Sequence, residues 1–294
     1  MKLKRITLLC LVALLTLSAA CAGEQLTSEI LPIEAEPKPL QRTEISTPQP
    51  ESETELNLEY EWTEPHVADE SDITEPEGPG SNGIIVAIDP GHQRQGNYRK
   101  EQNGPGSTVT KAMVAGGTKG VATGVPEYEL TLAISLLLRD ELIARGYEVF
   151  MIRETHEVDI SNKTRAEMAT EAGADIFVRV HANGSENSSS NGILTISPTS
   201  RSPYIPALYS RSLALSQCIL DEMVASTGAK NMGIWETDTM TGINWSTMPV
   251  TIIELGYMTN PEEDRLMQTP EYQQKLVEGI ANGIELFFIF EFGD

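Results

Sequence analysis

The sequence predicts an α/β fold, a mostly parallel twisted sheet with helices on both faces, formed by a single domain. Short β-branched apolar runs alternate along the chain with amphipathic segments of helical length. The apolar runs are continuous, as in strands that are covered on both faces of a sheet. An alternation of this kind is typical of α/β domains, in which helices connect parallel strands.

The first elements follow the start of the apolar pattern. The first strand is predicted at residues 84–88, and the turn from Asp89 to His92 ends it. Residues 93–126 contain seven glycines and little periodicity, which predicts a long loop of a kind that is commonly functional. A helix with a leucine-rich apolar face is predicted from Glu127 to Arg145.

The same patterns predict four further strands and three further helices. The strands are residues 147–152, 176–180, 193–196 and 250–253, and the helices are residues 162–172, 208–225 and 271–288. Two of these strands lead directly to polar residues, His181 and Glu254. Because ligands bind beyond the carboxyl ends of parallel strands, we expect His92, His181 and Glu254 at one edge of the sheet.

Composition divides the chain into a signal, a tether and a folded domain at residues 83–294. Residues 1–21 combine a basic start with an apolar run too short to span a bilayer, which indicates a signal peptide. Small residues before Cys21 also indicate a bacterial lipoprotein site, with ordinary cleavage near Ala20 as the alternative. We therefore expect export to the cell surface or cell wall, with anchoring to the outer face of the cytoplasmic membrane where Cys21 is lipidated.

Much of the acidity lies in residues 22–82, which carry 16 acidic and two basic residues. This stretch is rich in Pro, Glu, Ser and Thr and lacks apolar periodicity, so it is predicted to be a disordered tether. The net charge of the chain is −22, which argues against nucleic acid as a partner because the phosphate backbone would repel it.

Cysteine usage excludes a disulfide within the folded domain. Only one of the three cysteines, Cys218, lies in that region. It falls in an apolar helical pattern and is predicted to be buried packing rather than a nucleophile. Stability must therefore come from a hydrophobic core.

Two of the three histidines of the folded region are candidate ligands for one zinc ion. Catalytic zinc sites commonly take three ligands from His and carboxylate, and His92 and His181 both follow predicted strands. His156 lies in an acidic loop and is interpreted as a solvated residue. The third ligand should be a carboxylate at the same edge, and Glu127 and Glu129 both open the predicted helix. Either of them could instead only favour the helix N-terminus.

Glu254 is a charged residue that emerges from a buried strand. Such a carboxylate is costly unless it is paired, bound to a metal or catalytic. A salt-bridged glutamate at a strand end is the alternative interpretation.

Four motifs occur in a fixed order and carry a family resemblance. They are Asp89-Pro90-Gly91-His92, Gly124-Val125-Pro126-Glu127, Val180-His181-Ala182-Asn183 and Ile253-Glu254-Leu255-Gly256-Tyr257-Met258-Thr259-Asn260. Together they resemble the zinc-dependent N-acetylmuramoyl-L-alanine amidases of type 3, over about residues 83–290.

The resemblance implies a fold, a substrate and a set of site residues. One zinc ion would be held by His92, Glu127 and His181, and the alignment favours Glu127 over Glu129. Glu254 would be the catalytic general base. The bond cleaved would join the lactyl group of N-acetylmuramic acid to L-alanine in peptidoglycan. A zinc peptidase acting on wall stem peptides and a non-catalytic wall-binding lipoprotein are the alternatives.

Several features depart from or extend the family pattern. Residues 93–126 are longer than in compact members, and residues 242–246 stand where many relatives have an arginine-containing segment. Arg179 replaces a small residue, and Arg165 matches a frequent family arginine that is interpreted as structural or weakly related to substrate. None of these differences removes a ligand or Glu254, so retained activity is expected.

Overall fold

A computed structural model describes residues 81–292 of the chain. The predicted signal, Cys21 and all but the end of the predicted tether lie outside the described residues. Eight strands are present: β1 Ile85–Pro90, β2 Asn97–Gln102, β3 Thr110–Val114, β4 Glu148–Met151, β5 Ile176–Asn183, β6 Ile193–Ser197, β7 Asn231–Glu236 and β8 Val250–Tyr257. The α-helices are α1 Glu127–Ala144, α2 Asn162–Glu171, α3 Tyr209–Thr227, α4 Thr241–Asn244, α5 Pro261–Met267 and α6 Pro270–Phe292.

Six of the strands form one sheet in the order β4-β1-β5-β8-β6-β7. Neighbouring strands are parallel except where β6 runs antiparallel to β8. The prediction of a mostly parallel sheet is therefore confirmed. The remaining pair, β2 and β3, forms a separate antiparallel hairpin within residues 93–126.

Both faces of the sheet are covered by apolar packing. On one face, buried residues of α1, α3 and α6 pack against β1, β5 and β8, with Leu138, Ile219 and Ile284 fully buried. On the other face, the smaller residues of α2, Ala166 and Ala169, pack with Ile243 of α4. Helices on both faces follow from the continuous apolar strands, since a sheet with two apolar surfaces must bury both. Cys218 is buried within the first of these cores, as expected.

The prediction of residues 93–126 as loop is wrong for β2 and β3. The strand β2 reads NYRKEQ and is mostly exposed, so it has no apolar alternation that would reveal it in the sequence. The strand β7 and the short helices α4 and α5 were likewise not predicted. The strand β7 reads NMGIWE and contains a glycine, and α4 and α5 are only four and seven residues long. No helix within residues 81–292 is long and apolar enough to cross a membrane.

A buried charge cluster ties the end of β1 to α2 and β5. Asp89 is fully buried and accepts hydrogen bonds from Arg165 Nη1 at 2.6 Å and from Arg179 Nε at 2.8 Å. Burial raises the pKa of Asp89, but the charges of Arg165 and Arg179 outweigh it and hold that pKa at about 2. Arg165 also donates to the carbonyl oxygens of Pro90 and His92. The cluster therefore sets the path of the chain from β1 into the turn that carries His92.

We expect Asp89→Asn to lower the free energy of unfolding by about 3–5 kcal/mol, because removing one partner leaves two buried guanidinium groups without their anion. Asp140→Asn is the matched control. It removes an exposed partner of Arg139 and should change the stability by less than about 1 kcal/mol. Urea unfolding of both variants measures the difference, and equal effects would contradict a structural role for Asp89.

The same pair of proteins tests the pH dependence. The folded-state pKa of Asp89 lies below its ordinary value of 3.8, so its ionised form stabilises the fold above that value. This contribution is lost as the pH falls through about 2. The difference in stability between the unmodified protein and Asp89→Asn should therefore shrink steadily below pH 4. A difference that stays constant down to the lowest measurable pH would contradict the assignment.

Candidate metal centre

Three side chains converge at the carboxyl edge of the sheet. His92 Nε2 lies 3.1 Å from Glu127 Oε1 and 3.2 Å from His181 Nδ1, and His181 Nδ1 lies 3.1 Å from Glu127 Oε1. His92 follows β1, Glu127 begins α1 and His181 lies on β5. Within residues 81–292 they are the group of His, Cys, Asp and Glu side chains placed closely enough to hold a metal ion.

Backbone strain and two hydrogen bonds determine the position of His92. Its φ of 60° is the only positive φ of a non-glycine residue in the described part of the chain, a conformation that the surroundings must enforce. Its Nδ1 lies 2.8 Å from the carbonyl oxygen of Ala115, so Nδ1 carries the proton and Nε2 keeps its lone pair. Arg165 Nη2 donates to the His92 carbonyl oxygen at 2.9 Å.

Glu127 is held as a carboxylate by backbone amides. Its Oε2 accepts from the N–H of Thr118 at 2.8 Å, and its Oε1 accepts from that of Ala182 at 3.2 Å. Burial raises the pKa of Glu127, but the hydrogen bond with His181 and the adjacent His92 ring outweigh it and lower that pKa below its usual range. A Cβ at Gly117, where φ is +78°, would lie 2.9 Å from Glu127 Oε2. Only glycine therefore allows this loop to approach the carboxylate.

The loop that leads into Glu127 is held in place by a residue of the helix α5. Asp264 of α5 is fully buried and accepts from the backbone N–H groups of Ala122 and Thr123 and from the Thr123 hydroxyl. These bonds stabilise the turn just before α1. They help to define where α1 begins, and hence where the Glu127 side chain lies.

The chemistry of the three donor atoms fits a divalent metal ion. Burial lowers the pKa of His181 to about 4, so its ring is neutral at neutral pH. With the His92 proton on Nδ1, at most one proton is available among three electron-rich atoms that lie 3.1–3.2 Å from one another. Ligands about 2.0–2.1 Å from a tetrahedral zinc ion would lie roughly 3.3 Å apart. A cation would satisfy all three donors.

Glu254 faces this cluster from the neighbouring strand. In the parallel pairing of β5 and β8, His181 and Glu254 are register partners. Burial, together with the negative charge of Glu127, raises the pKa of Glu254 well above its usual value. Its Oε2 is sealed from solvent and has no hydrogen-bond partner within the described residues. The carboxyl group is thus free to exchange a proton with a bound molecule.

A cavity of about 320 Å³ opens beside the cluster. His92, His181 and Glu254 line it, together with residues of β3 and of the segment 239–242. The hairpin β2–β3 forms one wall and is bonded to the opposite side through Asn103 Nδ2 to the Asp238 carbonyl and Trp245 Nε1 to the Gln102 carbonyl. The segment between β1 and α1 is therefore part of the site.

The structure brings together His92, Glu127, His181 and Glu254 and leaves the competing residues outside. Glu129 lies on the first turn of α1 and accepts from the Tyr128 hydroxyl. His156 was expected to be solvated, but it is half-buried against the Tyr128 ring, with its Nδ1 sealed from solvent. His181 and Glu254 lie within their strands rather than at the ends, because β5 continues to Asn183 and β8 to Tyr257.

Sequence reasoning missed the groups that support the ligands. The Ala115 carbonyl and the Thr118 amide act through the backbone, so their residue types give no signal. Asp89 was interpreted only as a turn residue, although it forms ion pairs with both Arg165 and Arg179. The adjacent glycines Gly116 and Gly117 were the one visible sign that the chain passes close to another group there.

The chain is similar to several known proteins. The family model described as N-acetylmuramoyl-L-alanine amidase matches residues 86–286. An N-acetylmuramoyl-L-alanine amidase of Mycobacterium tuberculosis is 28% identical over 213 residues, which cover 70% of this chain and 86% of that protein. The protein YqiI of Bacillus subtilis is 29% identical over 170 residues, 57% of this chain and 77% of that protein. The crystal structure of the amidase Ami1 from Mycobacterium smegmatis superposes with a TM-score of 0.63 at 28% identity, covering 71% of this chain and 98% of that one.

We expect Glu127→Gln to weaken the affinity for zinc by at least about 100-fold, more than the loss of an outer hydrogen-bond partner costs. The amide oxygen is a poorer ligand and its NH₂ group would face the two imidazoles. Glu129→Gln is the matched control, on the same helical turn, and should leave the affinity unchanged. Titration with zinc of both variants, after stripping with a chelator, measures the affinities. An equal loss in both would contradict the placement of the metal at Glu127.

Proposed function

Because the chain belongs to the type 3 N-acetylmuramoyl-L-alanine amidase family, we propose that it hydrolyses the amide between the lactyl group of N-acetylmuramic acid and L-alanine in peptidoglycan. The observation that carries this proposal is the convergence of His92, Glu127 and His181 with the unpartnered carboxyl group of Glu254 beside one cavity. Relatives that cover most of the chain carry the same activity in their names. The protein is accordingly a cell-wall hydrolase.

We further propose that the three ligands hold one zinc ion. His92 and His181 offer neutral imidazole nitrogens and Glu127 an anionic oxygen, a set that suits zinc and leaves a fourth position open. When bound, zinc supplies a Lewis acid that lowers the pKa of water toward neutrality and polarises a carbonyl group. The preorganised donors would then lose little conformational entropy on binding the ion.

Glu254 is the proton carrier in this mechanism. It takes a proton from the water whose oxygen attacks the lactyl carbonyl carbon, and the C–N bond to alanine then breaks. The same carboxyl group delivers the proton to the departing amine nitrogen. Its raised pKa suits this double role, because a carboxyl group that titrates nearer neutral pH both accepts and returns a proton. No side-chain nucleophile is required, and Cys218 is buried away from the cavity.

We also propose an exported protein with three regions: a signal at residues 1–21, an acidic tether at residues 22–82 and the amidase domain from residue 83. In this arrangement lipid attached at Cys21 anchors the enzyme on the outer face of the cytoplasmic membrane. The composition of residues 22–82 supports a flexible connection that lets the domain reach peptidoglycan.

Glu254→Gln should reduce the hydrolysis of purified peptidoglycan by roughly 100- to 10,000-fold, the usual contribution of a general acid–base group, while zinc remains bound. Glu262→Gln, the same change at an exposed position of α5, is the control and should retain full activity. Mass analysis of the products identifies the bond. A free lactyl carboxylate is expected, whereas a new peptide α-carboxylate would identify a zinc peptidase instead. Unchanged activity in Glu254→Gln would contradict the mechanism.

Cys21→Ala should abolish incorporation of a labelled fatty acid and release the protein from membranes in a bacterial host that processes lipoproteins. Cys10→Ala is the control, since Cys10 lies inside the apolar run of the predicted signal. Labelling that persists in Cys21→Ala, or membrane release without any labelling of the unmodified protein, would contradict lipid attachment at Cys21.

A further inference from the structure

Arg179 lies on the same face of the sheet as His181 and Glu254. It precedes His181 by two residues on β5, and side chains two residues apart in a strand point to the same face. Its register partner on β8 is Ile252, just as Glu254 is the partner of His181. Arg179, His181, Ile252 and Glu254 all line the cavity. The Cα atoms of Arg179 and His181 are about 6.6 Å apart along the strand.

One nitrogen of the Arg179 guanidinium group has no hydrogen-bond partner among the described residues. Its Nε donates to Asp89 and its Nη2 to Asn162 Oδ1 at 2.7 Å. Its Nη1 makes no hydrogen bond with any of the described residues, and this nitrogen is accessible to solvent. This nitrogen lies against Gly242, another residue of the cavity wall, where an added Cβ would be 2.1 Å away.

Positively charged side chains lie on the cavity wall beside the candidate ligands. Arg179 and Lys111 line the cavity, and Glu254 is the one acidic residue among the described residues that line it. Lys111 of β3 also donates to the Thr239 carbonyl oxygen. Asp89 is the only anion paired with Arg165 and Arg179 among the described residues, so one positive charge of this cluster is not balanced. An anionic group of the substrate would therefore be stabilised beside Arg179.

We propose that Arg179 Nη1 binds a carboxylate of the substrate, so that Arg179 determines specificity for stem peptides with a free carboxylate on the residue after L-alanine. This inference rests on the proposed function. With the scissile carbonyl at the metal ligands, the following residue begins about 3.8 Å beyond the alanine Cα. Its carboxylate carbon would then lie roughly 7 Å from the scissile carbonyl carbon, and Arg179 lines the same cavity two residues before His181 on β5.

The alternative group on this residue of the substrate is a carboxamide. A carboxamide also accepts a hydrogen bond from Nη1, but it brings no charge to the unbalanced arginine cluster. Hydrogen bonds between charged partners are markedly stronger than neutral ones. We therefore expect the carboxylate form to bind about 10- to 100-fold more tightly than the carboxamide.

Binding to the full chain with Glu254→Gln, in which the ligand is not consumed, tests this inference. The two ligands are N-acetylmuramoyl-L-alanyl-D-glutamate compounds with the γ-carboxyl group blocked as a methylamide. They differ only in an α-carboxylate or an α-carboxamide. The carboxylate should bind 10- to 100-fold more tightly, and Arg179→Gln should reduce this preference to less than about threefold. Equal affinity of the two ligands in the protein that retains Arg179 would overturn the inference.

Two further variants separate ligand binding from a structural role of Arg179. Gly242→Ala keeps the arginine, but its added methyl group would lie 2.1 Å from Nη1, so the guanidinium group must shift. This variant should therefore also reduce the preference for the carboxylate. Arg179→Lys keeps the positive charge and should preserve part of the preference for the carboxylate. A preference that survives in both Arg179→Gln and Gly242→Ala would overturn the inference.

Cleavage assays with Glu254 intact distinguish this inference from the proposed function. Equal binding and equal cleavage of the two ligands would overturn the inference and leave the amidase function in place. Selective binding of the carboxylate without cleavage of either ligand would support the role of Arg179 and contradict the amidase function.

Discussion

The sharing of Asp89 between two arginines is the interaction on which the site depends. The carboxylate lies at the end of β1, Arg165 reaches it from α2 and Arg179 from β5. Because Arg165 also binds the carbonyl oxygens of Pro90 and His92, the cluster holds the candidate ligand His92 in place. The same cluster leaves one positive charge unbalanced beside the cavity. A single buried carboxylate thus links the geometry of the ligands to the electrostatics of the cavity.

The hairpin between β1 and α1 is the second constraint. It supplies the carbonyl of Ala115 to His92 and the amide of Thr118 to Glu127, so two of the three ligands are oriented by backbone groups from one segment. Partners of this kind determine the tautomer and the orientation of metal ligands. The hairpin also forms a cavity wall. The segment between β1 and α1 is therefore part of the site rather than an addition at the surface.

The sequence predicted the sheet and three of the four converging side chains, His92, His181 and Glu254, because each depends on a strong local pattern. Continuous apolar runs predicted β1, β5 and β8, and the polar residues that interrupt or follow them predicted the site edge. The hairpin could not be predicted, since its strands are polar and their pairing is satisfied by backbone bonds. Glu127 and Glu129 could not be separated by spacing. Only the tertiary contacts show that Glu127 faces the two histidines while Glu129 binds Tyr128.

The arrangement of the three candidate ligands is energetically unfavourable, and contacts from the rest of the fold must stabilise it. Three donor atoms with few protons lie within 3.2 Å of one another, and His92 adopts a φ of 60°. Strain of this kind persists only where the surroundings determine it, at about 1–3 kcal/mol for such a backbone conformation. Arg165, the Ala115 carbonyl and the Thr118 amide provide those surroundings. Since an ion that binds only the folded state stabilises it by mass action, metal binding and folding should be coupled through these contacts. The close spacing of the three donor atoms is unfavourable without a cation, and the same spacing favours the binding of one.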